Sequence, residues 1–366
     1  MARLQTIVAQ RQRECCVLKI TLLRQETLVN STFPQAGMVG FPEAIPIGRY
    51  RLIFDRASGR LPGYPGSAWR GAFGRQLRRI ACSMPGTDCK ACPVATACAY
   101  PYLFETAPPL QAARMRLYQR VPVPYVLEPE ETFLPADSCE KQYYELGLVL
   151  VGNANRNFPY VLEALRRAGT LGIGRNRVRL FLQAVQCEQP CGSNQWTSLD
   201  MEGVGEYDAM AAAGPAEVPA PPAQFTLRLL TPLRLIREGR LAGPERFRLG
   251  DFLVALVRRV ASCAYFHAGI ALPGNGYFRE LAENARALRG YEAKLRWRDW
   301  TRYSTRQRTA MQMGGLVGHV DVRDAGIKPF WPFLWIGQWL HAGRGTAMGL
   351  GRYVIERDAG GAQEGQ

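Results

Sequence analysis

The chain has 366 residues and a formal charge of +15 at neutral pH. Hydrophobic residues make up 47% and charged residues 21%, which excludes wholesale disorder. No uncharged apolar run is long enough to span a bilayer, and MARLQTIVAQRQRECC at the N-terminus lacks the apolar stretch of a signal peptide. A cytoplasmic protein of two domains is the expectation, with no membrane partner. The basic residues are five lysines and 41 arginines. Guanidinium groups fork onto phosphates and stack on bases, so a nucleic acid is the polyanion to look for.

In chain order, RYRLIFDR (49–56) alternates as a strand, with VLKITLL (17–23) as an alternative opening strand. PGSAWRGAFGRQLRRIAC follows as a loop entering a basic amphipathic helix, where Arg70 and Arg75 are placed to hold a backbone phosphate. Cys82, Cys89, Cys92 and Cys98 come next, spaced C-x(6)-C-x(2)-C-x(5)-C. Four thiols within seventeen residues of a chain without a secretion signal point to metal. Structural zinc is the first expectation and an iron–sulfur cluster the second. Cys187 and Cys191 form a weaker pair, while Cys15, Cys16, Cys139 and Cys263 read as core residues.

EKQYYELGLVLVG (140–152) supplies another strand. FPYVLEALRRAG then reads as a helix closing on Ala168-Gly169, before Gly172-Ile173-Gly174-Arg175 and an alternating strand. The stretch from 203 to 223 is rich in Ala, Pro and Gly and has the composition of a linker. It separates an N-terminal domain, 1–202, from a C-terminal domain, 224–366.

The second half repeats the first. QFTLRLLTPLRLI (224–236) reads as strand and 247–269 as an apolar helix, with a long irregular segment after it. YSTRQRTAMQMGGLVGHVDVR (303–323) reads as a hairpin, followed by a helix closing on Ala342-Gly343 and by Gly349-Leu350-Gly351-Arg352 before a last strand. Each half fits β-α-β-β-α-β, so the fold class expected is α+β, with tandem ferredoxin-like (RRM-like) domains, a cysteine-rich insertion and a C-terminal glycine-rich loop.

Two runs carry candidate binding chemistry. Gly343, Arg344, Gly345, Gly349, Gly351 and Arg352 lie in one glycine-rich loop, where bare backbone can approach phosphates and two guanidiniums add charge. No GK[ST] follows it, and it leads into a strand, so it is neither a P-loop nor a dinucleotide fingerprint. In 286–308, eight basic residues face two acidic ones, with Tyr291, Arg296, Trp297, Arg298, Trp300 and Tyr303 interleaved as phosphate contacts and stacking faces.

The ordered set GSAWRGAFG, a cysteine cluster ending CAYPYLFE, Gly-x-Gly-Arg, YSTRQ, GGLVG and GRGTAMGLGRY resembles the CRISPR-associated endoribonucleases of the RAMP superfamily that process precursor crRNA. The resemblance covers about 60–353. It implies tandem ferredoxin-like domains, CRISPR repeat RNA as substrate, other CRISPR effector subunits as partners and no catalytic cofactor. It also implies a metal-independent cleavage in which a ribose 2′-OH attacks the adjacent phosphate. A non-catalytic RAMP subunit that holds crRNA is the alternative.

Family members often carry a catalytic histidine near the first helix. Here the histidines are His267, His319 and His341, all in the second half. His341 directly precedes the glycine-rich loop and is the first acid–base candidate. His267 and Tyr303 follow, with Tyr64 and Lys328 as helpers. His319, in the alternating GHVDV, reads as a surface strand residue.

Overall fold

The computed structural model describes residues 41–357, apart from 58, 60, 62, 107–120, 131–142, 202–206, 215 and 305–308, and of 301–312 it describes the backbone only. The alternative strand at 17–23 and the cysteines at 15, 16 and 139 lie outside the described residues.

In the first half, β1 (Ile47–Arg56) leads to α1 (Gly66–Ala81), the short α2 (Ala99–Phe104), β2 (Tyr125–Pro129), β3 (Tyr143–Val151), α3 (Phe158–Leu171), β4 (Leu180–Glu188) and β5 (Trp196–Leu199). All pairings are antiparallel, in the order β2-β3-β1-β4-β5. Alternation places Tyr50, Leu52 and Phe54 of β1 and Tyr144, Leu146 and Leu148 of β3 in the core, under α1 and α3. Trp69 from α1 is fully buried among them and donates its indole N–H to the Tyr144 hydroxyl at 3.1 Å.

The 207–224 stretch packs on both halves. It contains α4 (Ala209–Ala212), capped by the Asp208 carboxylate, which accepts from the Met210 and Ala211 amides. Tyr207 donates to the Cys187 sulfur at 3.2 Å, and the Pro219 carbonyl accepts from the Trp331 indole at 2.6 Å.

The second half runs β6 (Phe225–Leu233), a small ladder of β7 (Ile236–Arg237) and β8 (Arg240–Leu241), α5 (Leu249–Ala268), α6 (Asn275–Ala287), β9 (Tyr291–Arg298), the hairpin β10 (Thr301–Ser304) and β11 (Thr309–Gln312), β12 (Gly315–Val322), α7 (Trp331–Leu340) and β13 (Tyr353–Arg357). Its main sheet has the order β13-β6-β12-β9, antiparallel throughout. With α5 and α7 as its two helices, this is the 4-1-3-2 order of a ferredoxin-like unit. The first half gives the same order, with β5 added beside β4.

Two readings need correction. The segment between α5 and the hairpin is not irregular, because α6 and β9 fill it and β9 is the unit's second strand. Nor does Ala168-Gly169 end a helix: α3 continues to Leu171, and Gly169 is a packing position where a Cβ would stand 2.7 Å from the Leu180 carbonyl oxygen. Gly172, with φ +97°, makes the stop. In the second half α7 does end before its Ala-Gly pair, at Leu340.

Candidate functional site

The glycine-rich loop is a clasp between the two halves. Tyr64, just before α1, donates its hydroxyl to the Met348 carbonyl at 2.8 Å. Gly66 opens α1 so close to the same carbonyl that a Cβ there would clash with it. A Cβ on Gly349 would stand 2.6 Å from the Leu127 carbonyl oxygen of β2. From its own half, Thr231 donates to the Gly349 carbonyl at 2.7 Å and accepts the Arg352 N–H at 2.8 Å. Residues 346–351 are buried by these contacts, which leaves Gly343, Arg344 and Gly345 as the accessible tip. Gly349 and Gly351, expected as phosphate contacts, are buried against protein backbone in this structure. Their bare backbones, with φ of +87° and +70°, serve packing against protein carbonyls.

His341 is the pin of the clasp. It is fully buried, its Nε2 lies 3.0 Å from Glu128 Oε1 of β2, and its Nδ1 lies 3.2 Å from the Leu350 carbonyl oxygen. Its backbone, at φ 60° and ψ 168°, lies in a region that side-chain-bearing residues avoid. Burial lowers its pKa, against the opposing pull of Glu128. Burial alone would raise the Glu128 pKa, but Arg352, the His341 bond and Arg49 together hold the carboxyl at about 2. Arg352 Nε stands 3.4 Å from Glu128 Oε1, so much of its charge is committed inside the protein. Nearby, Arg49 pairs with the buried Glu188 at 2.9 Å, and Arg259 donates to the Leu340 carbonyl at 2.6 Å where α7 ends.

His267 plays a parallel part at the end of α5. It too is fully buried; its Nε2–H donates to the Pro122 carbonyl at 2.7 Å, and the Tyr102 hydroxyl lies 3.4 Å from Nδ1. Burial lowers its pKa to about 4, so the ring is neutral. Both histidines expected to move protons are thus fully buried in this structure. Each instead joins the second half to the first. His319 is partly exposed on β12, 3.8 Å from Asp321. The Tyr303 side chain lies outside the described residues, although its backbone pairs with Ala310 in the hairpin.

What remains accessible at the clasp is cationic. The Arg344 amide donates to the Arg234 carbonyl at 3.0 Å, and the Arg234 guanidinium donates to the Gly314 carbonyl at 2.6 Å. Burial, and then the charge of Arg344, lowers the Arg234 pKa. Among the described residues no carboxylate pairs with either guanidinium, which is the electrostatic state of a site waiting for an anion. Arg234 sits at a strand end without a motif, and its only signal in the sequence is the preceding apolar alternation.

The 286–308 run divides on folding. Arg296 is exposed on β9, whereas Trp297 and Arg298 are half-buried there. Trp297 donates to the Asp299 carboxylate at 2.8 Å. Trp300 lies against Tyr64 with ring centroids 4.9 Å apart, beside Met313, Met348 and Leu350. It packs the clasp rather than offering a free stacking face. GGLVG lets β12 bulge between its neighbours: Gly315 comes close to the Leu233 carbonyl, and Gly318 has φ +128°.

The four-cysteine insertion does not form the closed thiolate site expected from its spacing. Cys82, Cys89, Cys92 and Cys98 line one cleft of about 10 Å³. Yet among the described residues no three His, Cys, Asp or Glu side chains are grouped to hold a metal ion. Burial pushes the Cys89 and Cys98 thiols up. Structural zinc is not supported. No helix among the described residues is long and apolar enough to cross a membrane.

Residues 227–353 match the family model of the CRISPR-associated endoribonuclease Cas6, and residues 45–207 match a second model, AF_1859_N, described as an N-terminal domain. No curated protein matches the chain. Among solved structures, a product complex of the Cas6 protein TTHB231 from Thermus thermophilus is 17% identical, with a TM-score of 0.50, covering 84% of this chain and 99% of that one. A partial Cas6-RT-Cas1–Cas2 complex is 14% identical, with a TM-score of 0.44, covering 88% of this chain and 48% of that one. The two 4-1-3-2 sheets agree with the TTHB231 likeness in fold. The C-terminal half of the chain thus carries the domain of the CRISPR-associated endoribonuclease Cas6 family.

Proposed function

We propose that the chain cuts CRISPR repeat RNA into crRNA by a metal-independent transesterification at the clasp. The ribose 2′-oxygen bonds to the adjacent phosphorus as the P–O5′ bond breaks, leaving a 2′,3′-cyclic phosphate and a 5′-hydroxyl. One proton leaves the 2′-OH and one reaches the departing 5′-oxygen. The observation that carries this reading is a pair of guanidiniums: Arg344 at the exposed tip of a loop otherwise locked in place, and the half-buried Arg234 beside it at the end of β6. Preorganised cations of this kind stabilise the charge that builds up on a phosphorane. His341 positions the loop, and proton transfer falls to groups that can touch RNA, with Tyr303 of β10 the remaining candidate of the original three. Other CRISPR subunits are proposed partners after cleavage.

The test is cleavage of a repeat RNA by the purified full chain in EDTA, with the product ends identified. Persistent cutting and a cyclic phosphate support the reading, and a 2′-deoxyribose at the scissile position should bind and stay intact. Cutting that stops in EDTA would overturn the mechanism. Tight binding without cleavage of any repeat RNA would favour the non-catalytic role.

A further inference from the structure

We propose that the outer face of α1, together with α2, is a second binding surface for the RNA sugar–phosphate backbone, away from the cut. This rests on the RNA-processing reading and extends it to a part of the molecule that reading does not use. Helix α1, GSAWRGAFGRQLRRIA, contains four arginines and no acid. Arg75, Arg78 and Arg79 are exposed, and among the described residues none of them pairs with a carboxylate. Several other arginines are differently placed: Arg166 and Arg167 share Glu163, Arg228 holds Glu356, and Arg246 holds Glu238. Exposed arginines kept only for solubility have no reason to avoid acids. An RNA surface does, because a carboxylate would repel the phosphates.

Two of the α1 guanidiniums are also seated before any ligand arrives. Arg70, Gly74 and Arg78 follow one another at i, i+4 and i+8 on one face of α1. Gly74 has no side chain where a Cβ would stand 2.5 Å from the Phe104 ring, so α2 lies directly on the helix. Tyr100 and Phe104 of α2 stack nearly parallel, 5.6 Å apart at 7°. Arg70 lies over Phe104 at 4.9 Å and Arg78 over Tyr100 at 5.6 Å. Aromatic faces hold a guanidinium without neutralising it and leave its edge N–H groups free to donate. Arg70 and Arg78 are separated by about 12 Å along the helix, enough to meet different phosphates. Asp88 and Glu105, acids of the adjoining segment, form no ion pair with them, and Asp88 caps its own turn through the Lys90 amide.

The experiment measures repeat-RNA affinity against salt for the full chain and for Arg75→Gln/Arg78→Gln/Arg79→Gln. Glutamine keeps the helix propensity, and a thermal melt checks folding. Arg166→Ala/Arg167→Ala serves as a control in which the removed arginines are already paired with Glu163. The triple variant should bind on the order of tenfold or more weakly, with a log–log salt slope shallower by roughly two to three, while the control keeps the wild-type slope. Unchanged affinity and slope in a triple variant, beside a wild type that binds and cuts, would overturn the surface alone. A wild type that binds no repeat RNA would overturn the function and this surface with it.

Discussion

His341 Nε2 and Glu128 Oε1 lie 3.0 Å apart, although the residues are 213 positions apart in sequence and belong to opposite halves. Both atoms are buried, and His341 accepts an unfavourable backbone conformation to make the contact. That combination marks a position over-determined by its surroundings. His341→Ala should destabilise the chain by about 2–3 kcal/mol, the cost of leaving a buried carboxylate with one partner fewer. His341→Gly loses the same ring but relaxes the backbone, and should be more stable than the alanine variant by about 1 kcal/mol. Urea unfolding ranks the two. If His341 positions the loop and carries no proton, the cleavage rate of either variant should keep the wild-type dependence on pH.

The second buried histidine gives a prediction in pH. His267 has a folded pKa near 4, below its ordinary value, because burial disfavours the imidazolium. The unfolded chain therefore binds a proton first as the pH falls. Stability from this residue is complete above pH ~6.5, declines through the window down to about 4, and amounts to about 3 kcal/mol across it. Burial lowers the His341 pKa as well and adds to the same slope. The urea midpoint should fall between pH 7 and pH 4.5 in the wild type, and fall less in His267→Gln, whose amide can still donate to Pro122.

At the clasp tip, Arg344→Ala and Arg234→Ala remove neighbouring charges. Each should weaken binding of all RNAs alike, and each should shallow the salt slope by roughly one. The effect on cleavage should exceed the effect on affinity, by on the order of tenfold or more, if the pair stabilises the transition state rather than the ground state. Single-turnover rates at saturating protein separate the two. Equal losses in binding and rate would assign these arginines to docking only.

Much of the architecture was legible because both halves repeat one pattern of strand, helix and glycine turn. Alternation in RYRLIFDR and QFTLRLLTPL marks the central strands β1 and β6, and the helix–glycine endings mark α3 and α7. Strand β9 was obscured by its own charges. Tyr291, Ala293, Leu295 and Trp297 alternate with Glu292, Lys294, Arg296 and Arg298, but the basic residues invite a binding reading before a structural one. The site was harder to see, for a reason of distance. Glu128, Thr231 and Arg234 gain their meaning only when folding brings them to residues 341–352, more than a hundred positions away. Histidine chemistry is visible in the sequence, whereas burial, which decides whether that chemistry can be used, is not written there locally.

Two glycines of one helix test the clasp from the other side. Gly66 begins α1 against the Met348 carbonyl, with no room for a methyl group, and that carbonyl also accepts the Tyr64 hydroxyl. Gly71 lies on the exposed face of the same helix, where a Cβ would meet only the flexible end of Arg75 at 3.7 Å. Gly71→Ala should stabilise the chain by up to about 1 kcal/mol through helix propensity and leave cleavage unchanged. Gly66→Ala gains no such benefit at the first helical position. The methyl must push the loop away, lengthening the Tyr64 bond and shifting Arg344 with it. Overpacking of this kind costs about 1–3 kcal/mol. Displacing a preorganised cation by even an ångström costs on the order of 10²-fold in rate. The expected result is a folded Gly66→Ala protein that still binds repeat RNA but cuts it far more slowly than Gly71→Ala. Equal rates in the two variants would mean that the loop's placement against α1 does not govern the chemistry.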